Sequence, residues 1–190
     1  MADPALTIPR ISAKEYLEIE RDATNKHEFV DGIVYAMAGA GRRHNIISGN
    51  VFATLHNRVS PPCQVFRSDM RVHVKADPVE RFYYPDTHVS CSDLDKEEHF
   101  NAMPVLVVEV ASPSTGGYDR TAKFESYRLL PSLQEYVLFQ QAEMLVELFR
   151  KRTGWQPEKY AAAATITFES IGQTLPVALF YRGVTYPAVS

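Results

Sequence analysis

The stretch Pro104-Val-Leu-Val-Val-Glu-Val-Ala-Ser112 sets one carboxylate, Glu109, inside an otherwise apolar run. The run is short, rich in β-branched residues and bounded by Pro104 and Pro113, which predicts a strand buried on both faces rather than a helix. An ionised side chain in such a strand costs several kcal/mol or more unless a cation, a hydrogen-bond network or a metal compensates it. Glu109 therefore requires a partner from elsewhere in the chain. The bland alternative is a strand-end glutamate turned to water.

With 190 residues, 45% of them hydrophobic and 23% charged, the chain is long enough to bury a full core. It fits one domain over residues 1–190, because no linker, repeat or low-complexity tract marks a boundary. The N-terminus has no signal-peptide core, and no apolar segment approaches the roughly 20 residues that cross a bilayer, so a soluble, cytoplasmic protein without membrane contact is expected. Cys63 and Cys91 lie far apart with no C-x-x-C pair and are expected as reduced thiols in strands. A formal charge of −3 and a pI near 6.1 give no general attraction to nucleic acid, so any phosphate-binding surface must be local.

Along the chain, Ser12-Ala-Lys-Glu15 is a capping box opening a short helix. His27 to Tyr35 reads as two strands joined at Asp31-Gly32, a hairpin signal that places Glu28 and Val30 on one face and His27 and Phe29 on the other. Arg42 to about Val59 reads as a helix from the spacing of Ile47, Val51, Leu55 and Val59, with His44 on the same face. Strands follow at Gln64–Arg67, Met70–Lys75 and Phe82–Ser90 across Pro85, then a polar loop from Asp93 to Asn101. After the Glu109 strand, Ser112 to Gly117 is a turn, and a helix is expected from about Asp119 to Leu130. Gln134–Phe139, Met144–Phe149 and Trp155–Tyr160 read as strands, with a turn at Thr153-Gly154. This last third shows no chemistry of its own and is expected to extend the sheet or form a homodimer surface.

At 100° per residue, Asp119, Lys123, Tyr127 and Leu130 share one sector of the helix, so Lys123 points inward near Glu109 or else snorkels to water. Tyr84-Pro85-Asp86 puts Asp86 at the mouth of the Thr87–Ser90 strand; a Pro-Asp pair alone is more often a turn. Asp86, then Glu109, then Lys123 form an order that phosphodiester hydrolysis uses. Two carboxylates hold Mg²⁺ (or Mn²⁺) through hard oxygens, the metal acidifies a water, and a lysine orients that water or offsets phosphoryl charge. His44 is either a hydrogen-bonded core residue or a ligand or base. Arg42, Arg43, Arg67, Arg71 and Arg120 are candidate phosphate contacts, although scattered arginines are usually solvated surface.

Glu28-Phe-Val-Asp-Gly32, His44, Tyr84-Pro-Asp86, Val107-Val-Glu-Val-Ala-Ser-Pro-Ser-Thr115, Asp119, Lys123 and Tyr127 together resemble the PD-(D/E)XK nuclease superfamily. Within it, they resemble a restriction-endonuclease family abundant in cyanobacteria. The resemblance implies an α/β (α+β) fold, a restriction-endonuclease-like mixed β-sheet flanked by helices, here with extra C-terminal strands. It implies Asp86, Glu109 and the backbone carbonyl of Val110 as metal ligands, with Glu28 as a further acidic residue that binds metal directly or through water. The superfamily lysine belongs two residues after the Glu, where this chain has Ala111; Lys123 matches the position to which related chains have moved it. The resulting expectation is a Mg²⁺- or Mn²⁺-dependent endonuclease acting on DNA. The alternative, motivated by Ala111 and the acidic charge, is a catalytically inactive module of the same fold that binds DNA or protein.

Overall fold

The structure, a computed structural model, describes residues 10–37, 39–111, 117 and 119–186, and of Arg120 the backbone alone. Helix α1 (Ala13–Arg21) starts at the expected capping box: Glu15 N donates to Ser12 Oγ (3.2 Å) and Ser12 N donates to Glu15 Oε2 (2.7 Å). It buries Tyr16 against Phe29 and Phe82. Strands β1 (His27–Val30) and β2 (Ile33–Ala36) form the expected hairpin, its turn built from Asp31 (φ +49°) and Gly32 (φ +97°). Both turn residues are left-handed, as a two-residue turn matched to strand twist requires.

Asp31 also ties the hairpin to the neighbouring strand, accepting from Glu80 N (3.1 Å) and from Arg81 Nε (2.9 Å) and Nη2 (2.5 Å). The Arg81 guanidinium holds its carboxyl below the ordinary value of 3.8. A depressed carboxyl pKa stabilises above that value, and the contribution is lost as pH falls through the folded pKa. Asp31→Asn is therefore expected to cost about 1 kcal/mol near pH 7, discounted because the pair is about one-third exposed, and less near pH 2. Urea unfolding at both pH values tests this; a difference between the two proteins that is as large in acid would refute it.

Helix α2 (Arg42–His56) is followed by β3 (Gln64–Arg67), β4 (Arg71–Ala76), β5 (Val79–Tyr83), β6 (Thr87–Ser90), β7 (Phe100–Asn101) and β8 (Pro104–Ala111). A π-helical turn (Asp119–Lys123) leads into α3 (Phe124–Tyr127), then β9 (Glu135–Gln140), β10 (Leu145–Arg150), β11 (Pro157–Ala161), β12 (Thr165–Phe168) and β13 (Gln173–Pro176). One sheet has the order β2-β1-β5-β4-β7, a second β11-β10-β9-β8-β6-β3, and β12-β13 is a separate hairpin. The second sheet is mixed: β8 runs parallel to β9 and antiparallel to β6.

Strand β8 is buried on both faces, as its composition demands. Leu106, Val108 and Val110 face α2 and the C-terminal segment, in a core with Ile47, Val51, Leu55, Phe168 and Phe180. Each such side chain contributes roughly 1.5–3 kcal/mol on burial, which outweighs the cost of about 1 kcal/mol for Gly49 inside α2. Val107 faces the other side, where Phe124, Tyr127, Leu130 and Tyr136 meet Val72, Val74 and Tyr83 of the first sheet. Helix α3 and the first sheet thus cover the face on which Glu109 lies.

Several local expectations are corrected. Phe82–Ser90 is two strands, not one, because Pro85 has no N–H for a ladder and the chain there leaves the first sheet and enters the second. Phe100–Asn101, expected in a loop, pairs parallel with β4. The helix after β8 opens as a π turn, a form concentrated at functional sites, and its α-helical part is one short turn. The preceding stretch, residues 112–116, lies outside the described residues. Cys63 and Cys91 are not free thiols: the antiparallel pairing of Gln64 with Ser90 brings them opposite one another, and they form a disulfide.

The C-terminal third holds an ion-pair network that sequence patterning did not reveal. Glu135, 1% exposed, accepts from Arg150 Nε (3.1 Å), from the backbone N–H groups of Glu169 (3.0 Å) and Ser170 (2.9 Å), and from Ser170 Oγ (2.5 Å). Arg150 also donates to Glu158 and to the Thr167 carbonyl (2.5 Å). These bonds fasten the β12–β13 region to β9 and β10 of the second sheet.

Candidate active site

The site lies where the two sheets meet. Thr87 pairs with Val108 in the antiparallel β6–β8 ladder, so Asp86, one residue earlier, stands opposite Glu109, one residue later. The Asp86 carboxylate accepts from Val110 N (2.7 Å), which fixes it against β8. His44, in the first turn of α2, meets the same carboxylate through Nε2 at 3.1 Å. His88, by contrast, is a core residue, flat against Phe66 and in contact with Asn101; burial pushes its imidazole down to about 3 and keeps it neutral.

Lys123 comes from the π turn and is 5% exposed. Its Nζ contacts Glu28 Oε1 on β1 (2.8 Å) and Glu109 Oε1 on β8 (3.1 Å), joining the two sheets through one ammonium group. Tyr84 N donates to Glu28 (3.2 Å), Tyr127 Oη to Glu109 (3.4 Å), and the Tyr83 ring lies 5.5 Å from Nζ. Asp119, 5% exposed, begins the turn, and its carbonyl accepts from Tyr136 Oη (2.9 Å).

The electrostatics follow from this crowding. Burial pushes the Glu109 carboxyl well above the ordinary range; Lys123 opposes that shift, while Asp86, Asp119 and Glu28 reinforce it. Burial alone would lower Lys123, but Glu109, Glu28 and Asp119 raise it well above its ordinary value, so it stays charged. Lys123 thus pairs with two buried carboxylates at once, Glu28 and Glu109, a crowding of negative charge that a further cation would relieve.

The donor set fits a hard divalent ion of a particular kind. Among the described residues no three histidine, cysteine, aspartate or glutamate side chains form a preassembled cage. Asp86 and Glu109, side by side on adjacent strands, offer two carboxylates. That suits Mg²⁺, which binds through one or two carboxylates and keeps several waters.

Asp86, Glu109, Lys123, Glu28 and His44 therefore converge in space, the last through Asp86. Val110 contributes its N–H to Asp86. Ala111, 5% exposed, offers no cation at the position where the sequence resemblance implies a lysine, and Lys123 of the π turn supplies the charge. Of the candidate arginines, Arg42 and Arg67 are exposed and Arg43 lies against Tyr186, but Arg71 is 4% exposed between the rings of Tyr16 and Tyr84 and is not a phosphate-facing residue. The Arg120 side chain lies outside the described residues. Sequence reasoning missed the Tyr84 N–H on Glu28, because a backbone donor carries no signature in composition.

The chain is 34% identical over 187 residues to the uncharacterized protein slr1290 of Synechocystis sp., covering 96% of this chain and 97% of that protein. A second Synechocystis protein, sll1609, is 35% identical over 145 residues, covering 74% and 81%. In three dimensions the chain resembles the crystal structure of a putative nuclease belonging to DUF820 from Anabaena variabilis, with a TM-score of 0.73, 15% identity, and coverage of 92% of this chain and 99% of that one. That likeness shows the shared mixed α+β fold. The Uma2 family, described as "Putative restriction endonuclease", matches residues 13–178, which takes in Glu28, His44, Asp86, Glu109 and Lys123, and the chain belongs to that family.

Proposed function

We propose that this protein is a Mg²⁺- or Mn²⁺-dependent endonuclease that hydrolyses phosphodiester bonds in DNA. The observation that carries the reading is the Lys123 ammonium held between Glu28 and Glu109, with Asp86 on the adjacent strand. Asp86 and Glu109, with the Val110 carbonyl, would hold the cation. When bound, it supplies positive charge to the phosphoryl oxygens and acidifies the attacking water. Lys123 is fixed by its two carboxylates, so its remaining N–H donates to the attacking water or to a non-bridging oxygen as charge develops. His44 keeps the Asp86 carboxylate in one orientation, and Tyr127 does the same for Glu109.

Divalent-ion calorimetry on wild type, Asp86→Ala and Glu109→Ala, followed by plasmid cleavage, tests this reading. Wild type is expected to bind Mg²⁺ and Mn²⁺ and to nick or cut DNA, and both variants to lose at least 100-fold in cleavage. DNA binding that weakens with salt but yields no product in either metal would replace the enzyme by a binding module of the same fold.

A further inference from the structure

We propose that Tyr35 is a stacking platform for a nucleobase beside the scissile phosphate, so that the preferred substrate is a strand carrying an unpaired base at the site. This inference rests on the nuclease reading and adds a specificity-determining residue to it.

The placement follows from hairpin register. The two-residue turn pairs Glu28 directly with Tyr35, and directly paired residues share a face with Cβ atoms about 5 Å apart. Glu28 reaches Lys123 at 2.8 Å, so Tyr35 stands beside the residue that binds the buried lysine, on the same face of the hairpin. The Glu28 side chain is 12% exposed, whereas Tyr35 is 51% exposed and is the one exposed tyrosine among the described residues. Tyr35 belongs to none of the three apolar clusters and lies on an edge strand, so the fold does not need its ring there.

The charge of the site explains what such a ring would do. Two buried carboxylates already hold Lys123, and the whole chain is at −3, so phosphate contacts alone give the substrate little grip. Stacking on an aromatic face does not depend on net charge, and it tolerates every base. In a duplex both faces of a base are covered by its neighbours, so the ring selects a base that is unpaired or unstacked.

The test compares fluorescent single strands that carry bases with otherwise identical strands whose residues at the site are abasic, bound in Ca²⁺ and followed by anisotropy. Wild type, Tyr35→Ala and Tyr35→Trp are measured, with Mg²⁺ calorimetry and plasmid cleavage alongside. Wild type and Tyr35→Trp are expected to prefer the base-bearing strand by about tenfold, and Tyr35→Ala to lose that preference with metal binding unchanged. Equal affinity of wild type for both strands while cleavage persists would overturn the stacking role alone. Absence of metal binding and cleavage in wild type would instead overturn the nuclease reading. A wild-type dimer that Tyr35→Ala converts to monomer, with base preference intact, would assign the ring to self-association and overturn the proposal.

Discussion

In metal-free buffer Lys123→Met is expected to lose about 3–5 kcal/mol of stability, a fall in melting temperature of about 10 °C, whereas Glu109→Gln stays within about 1 kcal/mol of wild type. The asymmetry comes from the charge count. Removing the lysine leaves Glu28 and Glu109 buried without a cation, and they must protonate or draw in water. Neutralising Glu109 removes one of the crowded negative charges and leaves the Lys123–Glu28 pair in place. Thermal melts in chelator with both variants check this. Equal destabilisation would show that Glu109 is part of a structural ion pair rather than surplus charge, and would weaken the case for a metal. Both substitutions are expected to abolish cleavage, so the two readouts separate the stability role from the chemical one.

A second large effect is expected far from the site. Glu135→Ala should cost about 3 kcal/mol or more, because it strips partners from a buried guanidinium and from two backbone N–H groups at once. Arg150 keeps Glu158 and the Thr167 carbonyl, which limits the loss. Glu169→Ala, which removes a side chain about 40% exposed, should cost far less than Glu135→Ala, because an exposed pair is screened by solvent. Chemical denaturation of the two variants decides whether the network acts as a buried clamp; similar small losses would show that it does not. Metal binding should be unaffected by either, since Glu135 sits opposite Leu106, three residues before Glu109.

Much of the site was legible because its residues sit in segments with strong local signals. A carboxylate in a β-branched run announced the buried strand, and the periodicity of Lys123, Tyr127 and Leu130 indicated an inward lysine even though the turn is π-helical. The Asp31-Gly32 turn fixed which face Glu28 shares. What stayed hidden was set by pairing between distant strands. The sheet change at Pro85 needs two sheets to be known, and the Cys63–Cys91 bond follows from the register of β3 with β6. The Glu135–Arg150 network likewise depends on strands and a C-terminal turn that no periodicity connects.

The single ammonium that joins Glu28 to Glu109 also has a consequence for when the site is assembled. Its three contributors lie in β1, in β8 and at the end of the π turn, so Glu28 meets the cation only when the first sheet comes against the second, whereas Glu109 is its near neighbour in sequence. Contacts of such long sequence separation as Glu28 with Lys123 slow folding, because loop-closure entropy is lost before they form. A growing chain that has made the hairpin and α2 but not yet the π turn therefore lacks the cation that joins Glu28 to Glu109. Under the proposed nuclease function, the centre is complete only once the π turn is in place.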